Sequence, residues 1–286
     1  MPEPSYDEQY AYLESRIDDL KSHRTGDERQ TEGEVFDQKT LMTIYGFMTR
    51  GFIDKVHYPI STGKEGNVFY ATTEDGDPMA LKIYRTSTST FKRVGDYIAG
   101  DPRFKGITGN RWKLIYAWAA KEYRNLQRYE EAGLPVPSPI ANDKNCLLME
   151  FIGDRLGAAP QLKDVNLKHP TDMYNEVVSF IIDGWQGAHL VHGDLSEYNI
   201  LVLRGEPYFI DVGQAMTNDY YNARELLDRD IANVNRFFRN RGASIIEPET
   251  IKAECLKTAP QPDDDDEDEE GSTDDSCSDR EEDEEK

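Results

Sequence analysis

Hydrophobic positions along the chain change their period several times, and each change marks a new element. Residues 5–33 are largely polar and read as helical in part. The stretch DQKTLMTIYGFMTRG then puts Leu41, Ile44, Tyr45 and Met48 on one helical face, with Asp37 placed to cap and Gly51 to stop the helix. Short alternating segments follow, HYPIS, NVFYATT and PMALKIYR, the last two joined by EDGD, a hairpin turn; together they predict a small antiparallel sheet. Next comes a long helix, NRWKLIYAWAAKEYRNLQRYEEAG, ending at Gly133 and Pro135. Strands in SPIAND and CLLMEFIG and a helix in DMYNEVVSFIIDGWQGAHL lead to two short strands, NILVL and YFIDV, around a turn at Arg204–Pro207. A helix from about Ala223 to Arg239 completes the core, and EPE at 247–249 opens a terminal helix. No internal repeat is visible. Strands around one helix, then mostly helix around a strand pair, predict an α+β fold of two lobes.

Charge changes this picture at two places. The chain of 286 residues carries a formal net charge of −22, and residues 263–286 hold 16 Asp and Glu against two Lys and Arg, a net −14 that leaves −8 for the rest. Such a run repels itself and cannot bury apolar surface, so residues 259–286 read as a disordered tail, either solvating or imitating nucleic-acid phosphates. The anionic body suits a high-salt cytoplasm. Against that background, Arg85–Lys113 has seven basic and two acidic residues, four glycines and a Ser/Thr run. It reads as a surface loop, either plain insertion or a contact for the phosphates of ATP or RNA, with hydroxyls open to autophosphorylation.

Other function classes drop out on composition. No run approaches the ~18 apolar residues of a membrane span, and MPEPSYDEQY lacks the basic and apolar regions of an export signal, so a cytoplasmic protein is expected, without membrane contact. Cys146, Cys255 and Cys277 are far apart and form no CxxC pair, which argues against a disulfide framework or a thiolate zinc site.

Four places carry candidate chemistry. ISTGKEGNVFYA (60–71) is a glycine turn between strands, but Glu65 follows Lys64 and a strand follows the turn, so it is not a Walker A loop. It is similar instead to the kinase nucleotide loop, with Ser61 replacing the first glycine of GxGxxG, Gly63 and Gly66 retained, and Lys64 and Glu65 between them. Lys82 sits among apolar neighbours in a strand, where a lysine can also snorkel outward. On the long helix Ile115, Ala119, Glu122, Leu126 and Tyr129 form one stripe, and a carboxylate on an apolar stripe needs a partner; Lys82 is the candidate. CLLMEFIGDRL resembles a kinase hinge, with the Glu150 carbonyl and the Ile152 amide facing an adenine edge. Finally, HGDLSEYN and IDVG set Asp194, Asn199 and Asp211 in the order of a kinase catalytic loop, HxDxxxxN, followed by a metal-binding DxG. Each residue alone has an ordinary use, Asp and Asn as turn caps and His192 as a buried imidazole; the five elements in order do not.

STGKEGNV, LKIYR, KEYRNL, LLMEFIG, HGDLSEYNIL and IDVGQA together resemble the RIO family of atypical serine/threonine protein kinases, type-1 subfamily, over about Val35–Gly242. LSEYN and DVGQ favour type 1 over type 2, the short termini look archaeal, and Gly66 replaces the alanine of the usual STGKEAN, a tolerated departure. The resemblance implies a two-lobed protein-kinase-like fold: an extension (1–34), an N-lobe to the hinge (35–152), a truncated C-lobe (153–258) and the tail. It further implies ATP and Mg²⁺, with Mn²⁺ as an alternative metal. Asp194 would act on the attacking hydroxyl or water, Asn199 and Asp211 on the metal, and Lys82 with Glu122 on the phosphates, while Asp211 could form an aspartyl-phosphate. Autophosphorylation, ATP hydrolysis and a role on the pre-ribosomal small subunit, with its rRNA and ribosomal proteins, follow from the same resemblance; DNA is not an expected partner. No APE motif ends an activation segment. A small-molecule phosphotransferase of the aminoglycoside or choline kinase sort shares HGDxxxxN and IDxG, and a catalytically inert nucleotide-binding scaffold is a third reading, against which the intact Lys82, Asp194, Asn199 and Asp211 argue.

Overall fold

The first sheet takes five antiparallel strands in the order β1-β2-β3-β5-β4: β1 Lys55–Thr62, β2 Gly66–Thr72, β3 Pro78–Tyr84, β4 Pro139–Asp143 and β5 Cys146–Glu150. The computed structural model describes residues 5–21, 36–63, 66–85 and 111–257. Lys64, Glu65, the bulk of the basic stretch (86–110), the second part of the N-terminal extension (22–34) and the acidic tail lie outside the described residues.

Strand alternation decides which side chains meet. Leu81 and Ile83 of β3, with Cys146 and Leu148 of β5, face one core that also holds Leu13 and Ile17 of α1 (Tyr6–Lys21) and Ile44, Phe47 and Met48 of α2 (Gln38–Thr49). Asp37 caps α2, accepting from Thr40 N at 2.9 Å. Ala80 and Tyr84, with Leu147 and Met149, belong to the opposite core, against α3 (Arg111–Glu131). Lys82 falls between Ala80 and Tyr84 by the same alternation, so the strand itself delivers the lysine to the α3 side. Of α3, Ile115, Trp118, Ala119, Lys121, Glu122, Asn125, Leu126 and Tyr129 are buried, a wider stripe than the periodicity alone predicts.

Beyond the hinge, a small hairpin (β6 Gly153–Asp154, β7 Gly157–Ala158) leads to α4 (Pro170–Gln186). Then come β8 Leu190–Val191, β9 Ile200–Leu203, β10 Glu206–Phe209, β11 Met216–Thr217, α5 (Ala223–Asn240) and α6 (Pro248–Cys255). Leu227, Ile231, Val234 and Phe238 of α5 pack with Tyr174, Val177 and Ile181 of α4 in the larger core. The α+β class and the lobe of antiparallel sheet followed by a helical lobe are those the pattern implied.

One strand differs from its sequence reading. YFIDV was expected as a continuous strand after a turn at Arg204–Pro207, but β10 starts at Glu206 and ends at Phe209. Arg204 and Gly205 both take positive φ (56° and 96°), the geometry of a two-residue hairpin turn, so Pro207 already pairs with Val202 inside the ladder. The strand must end where it does because Asp211 is left-handed (φ 61°, ψ 48°), which turns the chain into a 3₁₀ turn at Val212–Gln214.

Candidate active site

Two nested pairings bring the chemistry together. β9 pairs with β10, and β8 pairs with β11. The loop from His192 to Asn199, between β8 and β9, therefore lies beside the loop from Ile210 to Ala215, between β10 and β11. Ile210 N donates to the Asn199 carbonyl at 3.0 Å, and His192 bridges the loops again. Asp194 N donates to His192 Nδ1 (3.3 Å), so the imidazole proton is on Nε2, which donates to the Ile210 carbonyl (3.2 Å). Burial holds the His192 pKa below the ordinary histidine value, in keeping with a neutral ring.

On the N-lobe side, Lys82 Nζ lies 2.7 and 2.8 Å from the Glu122 oxygens and 2.8 Å from Asp211 Oδ1. Tyr84 Oη also donates to Glu122. Burial works against the Lys82 ammonium, yet the carboxylates of Asp211 and Glu122 outweigh it and hold the amine well above the ordinary lysine value. Asp211 is pulled below the ordinary aspartate value, first by the Lys82 charge; Glu122 is pushed up, first by burial. One ammonium thus serves two carboxylates. The surplus negative charge faces the cleft, since the Asp211 side chain is 41% exposed and that of Glu122 only 2%.

These groups line a cleft of about 560 Å³, within the ~300–1,000 Å³ range of small-molecule sites. Ser61, Gly63 and Gly66 line it from the β1–β2 turn, Glu150 and Ile152 from the hinge, and Asn199 and Asp211 from the C-lobe loops. The Ile152 carbonyl accepts from Ala159 N at 2.9 Å. A Cβ at Gly66 would meet the Ile83 carbonyl oxygen at 2.4 Å. The replacement of alanine is thus more than tolerated here: β2 and β3 approach more closely than an alanine allows without local movement. Asp194 is partly exposed but does not itself line this cleft, and burial, followed by the Asp211 charge, raises its pKa above the ordinary aspartate value.

The donor set suits a hard cation. Asn199 commits its amide nitrogen to the Asp194 carbonyl (2.9 Å), which leaves the amide oxygen available, and Asp211 adds an ionised carboxylate. Oxygen ligands of this kind are those Mg²⁺ takes.

Several supporting residues escaped the sequence reading. Asp230, buried on α5, accepts from Gly193 N (2.7 Å) and Leu195 N (3.0 Å), and its neighbour Arg229 donates to the Gly193 carbonyl. Asn125 on α3 donates to the Val212 (2.8 Å) and Ala215 (3.1 Å) carbonyls, tying the helix of Glu122 to the turn that follows Asp211. Gly213 packs under that helix, where a Cβ would come 3.1 Å from Glu122 Oε2. Asp230 and Asn125 had a signal, a polar residue on an apolar stripe, which is the argument that found Glu122. Gln214, whose Nε2 reaches Asp194 Oδ2 at 3.4 Å, lies in the DVGQ that favours type 1, but its residue type gave no sign of this contact. Asp230→Asn places an N–H₂ against one of two backbone N–H donors and is expected to destabilise the fold by about 2 kcal/mol, read from urea denaturation.

Comparison with known proteins assigns the family. The RIO domain model matches residues 67–251. The chain is 44% identical over 220 residues to the RIO-type serine/threonine-protein kinase Rio1 of Haloferax volcanii, covering 77% of this chain and 76% of that one. It is 40% identical over 223 residues to the human serine/threonine-protein kinase RIO1, but spans 39% of the human protein's length. Among solved structures, the Rio2 kinase–ADP/Mg²⁺–phosphoaspartate complex from Chaetomium thermophilum aligns with a TM-score of 0.60 at 26% identity, over 75% of this chain and 65% of that one. A RIO domain match over most of the chain, joined to the catalytic and metal-loop motifs now seen side by side, places this protein in the RIO family of serine/threonine protein kinases, with the archaeal type-1 members.

Proposed function

We propose that the protein is a Mg-ATP-dependent kinase and slow ATPase of RIO type that phosphorylates itself and acts in the cytoplasm as a switch in maturation of the small ribosomal subunit. The observation that carries the enzymatic part is Lys82 held between Glu122 and Asp211 in the cleft lining, with Asn199 on the C-lobe side and Asp194 directly behind it in contact with the Asn199 amide. The hinge carbonyl of Glu150 and amide of Ile152 meet the adenine edge, and Ser61, Gly63 and Gly66 face the phosphates; a part for Lys64 and Glu65 there rests on the sequence motif alone. Lys82 grips the α- and β-phosphates and Glu122 keeps its ammonium aimed. Asn199 and Asp211 hold Mg²⁺, with Mn²⁺ as a substitute, and the cation supplies charge neutralisation at the terminal phosphoryl group. Asp194 accepts the proton of the attacking serine hydroxyl or water as the new P–O bond forms and the bond to the β-phosphate oxygen breaks. Asp211 also acts as a nucleophile without a base: its ionised carboxylate oxygen bonds to the terminal phosphorus as the bond to the β-phosphate oxygen breaks and ADP leaves, and water then hydrolyses the acyl phosphate, its proton passing to Asp194. The phosphoaspartate in the Rio2 relative supports that route.

A switch fits the C-lobe better than a kinase acting on many proteins. Among the described residues only Met216–Asn222 separates the metal loop from α5, too little to hold a peptide as an activation segment does. No described helix is long and apolar enough to cross a membrane. The basic stretch 85–113 favours rRNA phosphates as its neighbours, and the named relatives favour protein kinase over small-molecule phosphotransferase. The test measures ATP hydrolysis and phosphate incorporation with and without immature small subunits, for wild type and Asp194→Ala. Turnover stimulated by subunits and lost in the variant supports the proposal; turnover that responds only to a soluble alcohol overturns it. Hydroxylamine-sensitive label, abolished by Asp211→Ala, is expected for the aspartyl-phosphate.

A further inference from the structure

The two oxygens of the Asp194 carboxylate are not equivalent. Among the described residues, side-chain amides reach Oδ2 from two directions, Asn199 Nδ2 and Gln214 Nε2, each at 3.4 Å, and none reaches Oδ1. Asn199 is already engaged, since the same nitrogen bonds the Asp194 carbonyl at 2.9 Å and its oxygen belongs to the cation site. Gln214 comes from the other loop. Its backbone ends the 3₁₀ turn that Asn125 clamps on both sides, so the side chain extends from a fixed base.

We propose that Gln214 is a positioning residue for phosphoryl transfer: its Nε2–H holds Asp194 Oδ2 and so turns Oδ1 toward the hydroxyl or water that attacks. This rests on Asp194 acting as the base. A neutral amide is the suitable donor here. A lysine or arginine would hold the carboxylate too strongly for it to take a proton, and a glutamate would add a third negative charge beside Asp194 and Asp211. Burial and then the Asp211 charge favour protonation of Asp194, and the Arg229 charge and the Asn199 amide oppose them; the Gln214 contact at Oδ2 adds a further donor on that side. The contact is at the long end of the hydrogen-bond range, as such contacts commonly are before substrate binds.

The test compares kcat, KM for ATP and the pH profile of kcat for the full chain as wild type, Gln214→Leu, Gln214→Glu and Asp194→Asn, with urea midpoints for each. Gln214→Leu is expected to lower kcat about tenfold, with KM for ATP within about twofold and the urea midpoint unchanged. The acid limb of its profile moves to higher pH. Gln214→Glu loses more and moves the limb further. An unchanged kcat and acid limb in Gln214→Leu overturns the inference, as does a loss of activity that only tracks lost folded protein. Asp194→Asn separates the two levels. If it keeps wild-type turnover, Asp194 is not the base and both readings fall; if it is inactive while Gln214→Leu behaves as wild type, only the role of Gln214 falls.

Discussion

Lys82→Met is expected to destabilise the fold by about 3 kcal/mol and to abolish measurable ATP binding. The reason is the carboxylate it leaves behind. Glu122 is 1% exposed and keeps only the Tyr84 hydroxyl as a described hydrogen-bond partner once the ammonium is gone. A stranded buried carboxylate must be desolvated without compensation or take up a proton, and either is unfavourable. Asp211 adds less to this loss, because its side chain is partly open to the cleft and to water. Adding Glu122→Leu to Lys82→Met removes the stranded group, so the double variant should regain most of the stability while remaining unable to bind ATP. Urea denaturation and a nucleotide titration of the four proteins give the cycle. If the pair behaved as an exposed ion pair, each single change would cost under about 1 kcal/mol and the cycle would show little coupling.

Asp194→Ala is expected to do the reverse, sparing the fold and the nucleotide while removing the chemistry. Asp194 is partly exposed, and among the described residues its carboxylate receives only the two long amide contacts, so little packing depends on it. The catalytic loop keeps its shape through backbone groups: Gly193 N and Leu195 N on Asp230, and the Gly193 carbonyl on Arg229. Loss of a positioned general base lowers kcat by about 10²–10⁴-fold. KM for ATP should stay within about twofold, because the groups assigned to the phosphates and the adenine are on other elements. Steady-state turnover at saturating ATP, with urea denaturation as the control for folding, checks both halves.

Much of this site was legible in the chain because its chemistry is local. HGDLSEYN and IDVG are short motifs whose residues sit on consecutive loops, and the β9–β10 hairpin between them has a strong signal of its own. Glu122 could be located by period alone, since a helix of 3.6 residues per turn exposes the oddity of an acid on an apolar face. Asp230 on α5 and Asn125 on α3 are polar residues on apolar stripes in the same way. What could not be read was contact across the fold. Asp230 touches backbone amides some three dozen positions away, Asn125 touches carbonyls still farther along, and neither partner is marked by residue type. The end of β10 was missed for another reason: Ile210–Asp211–Val212 has the composition of a strand, and the left-handed turn at Asp211 follows from loop pairing and from Lys82.

The proposed function depends on Asp211, held by Lys82 in the cleft lining, to manage Mg²⁺ and the terminal phosphate of ATP. Its most direct test is the Mg²⁺ dependence of ATP turnover in Asp211→Asn, a change that keeps the size of the side chain and a residue type tolerant of positive φ while removing the charge. Phosphoryl transfer at this cleft predicts turnover reduced by about a hundredfold or more at any Mg²⁺ concentration, with the fold retained. Turnover at the wild-type rate with the wild-type Mg²⁺ dependence would contradict it.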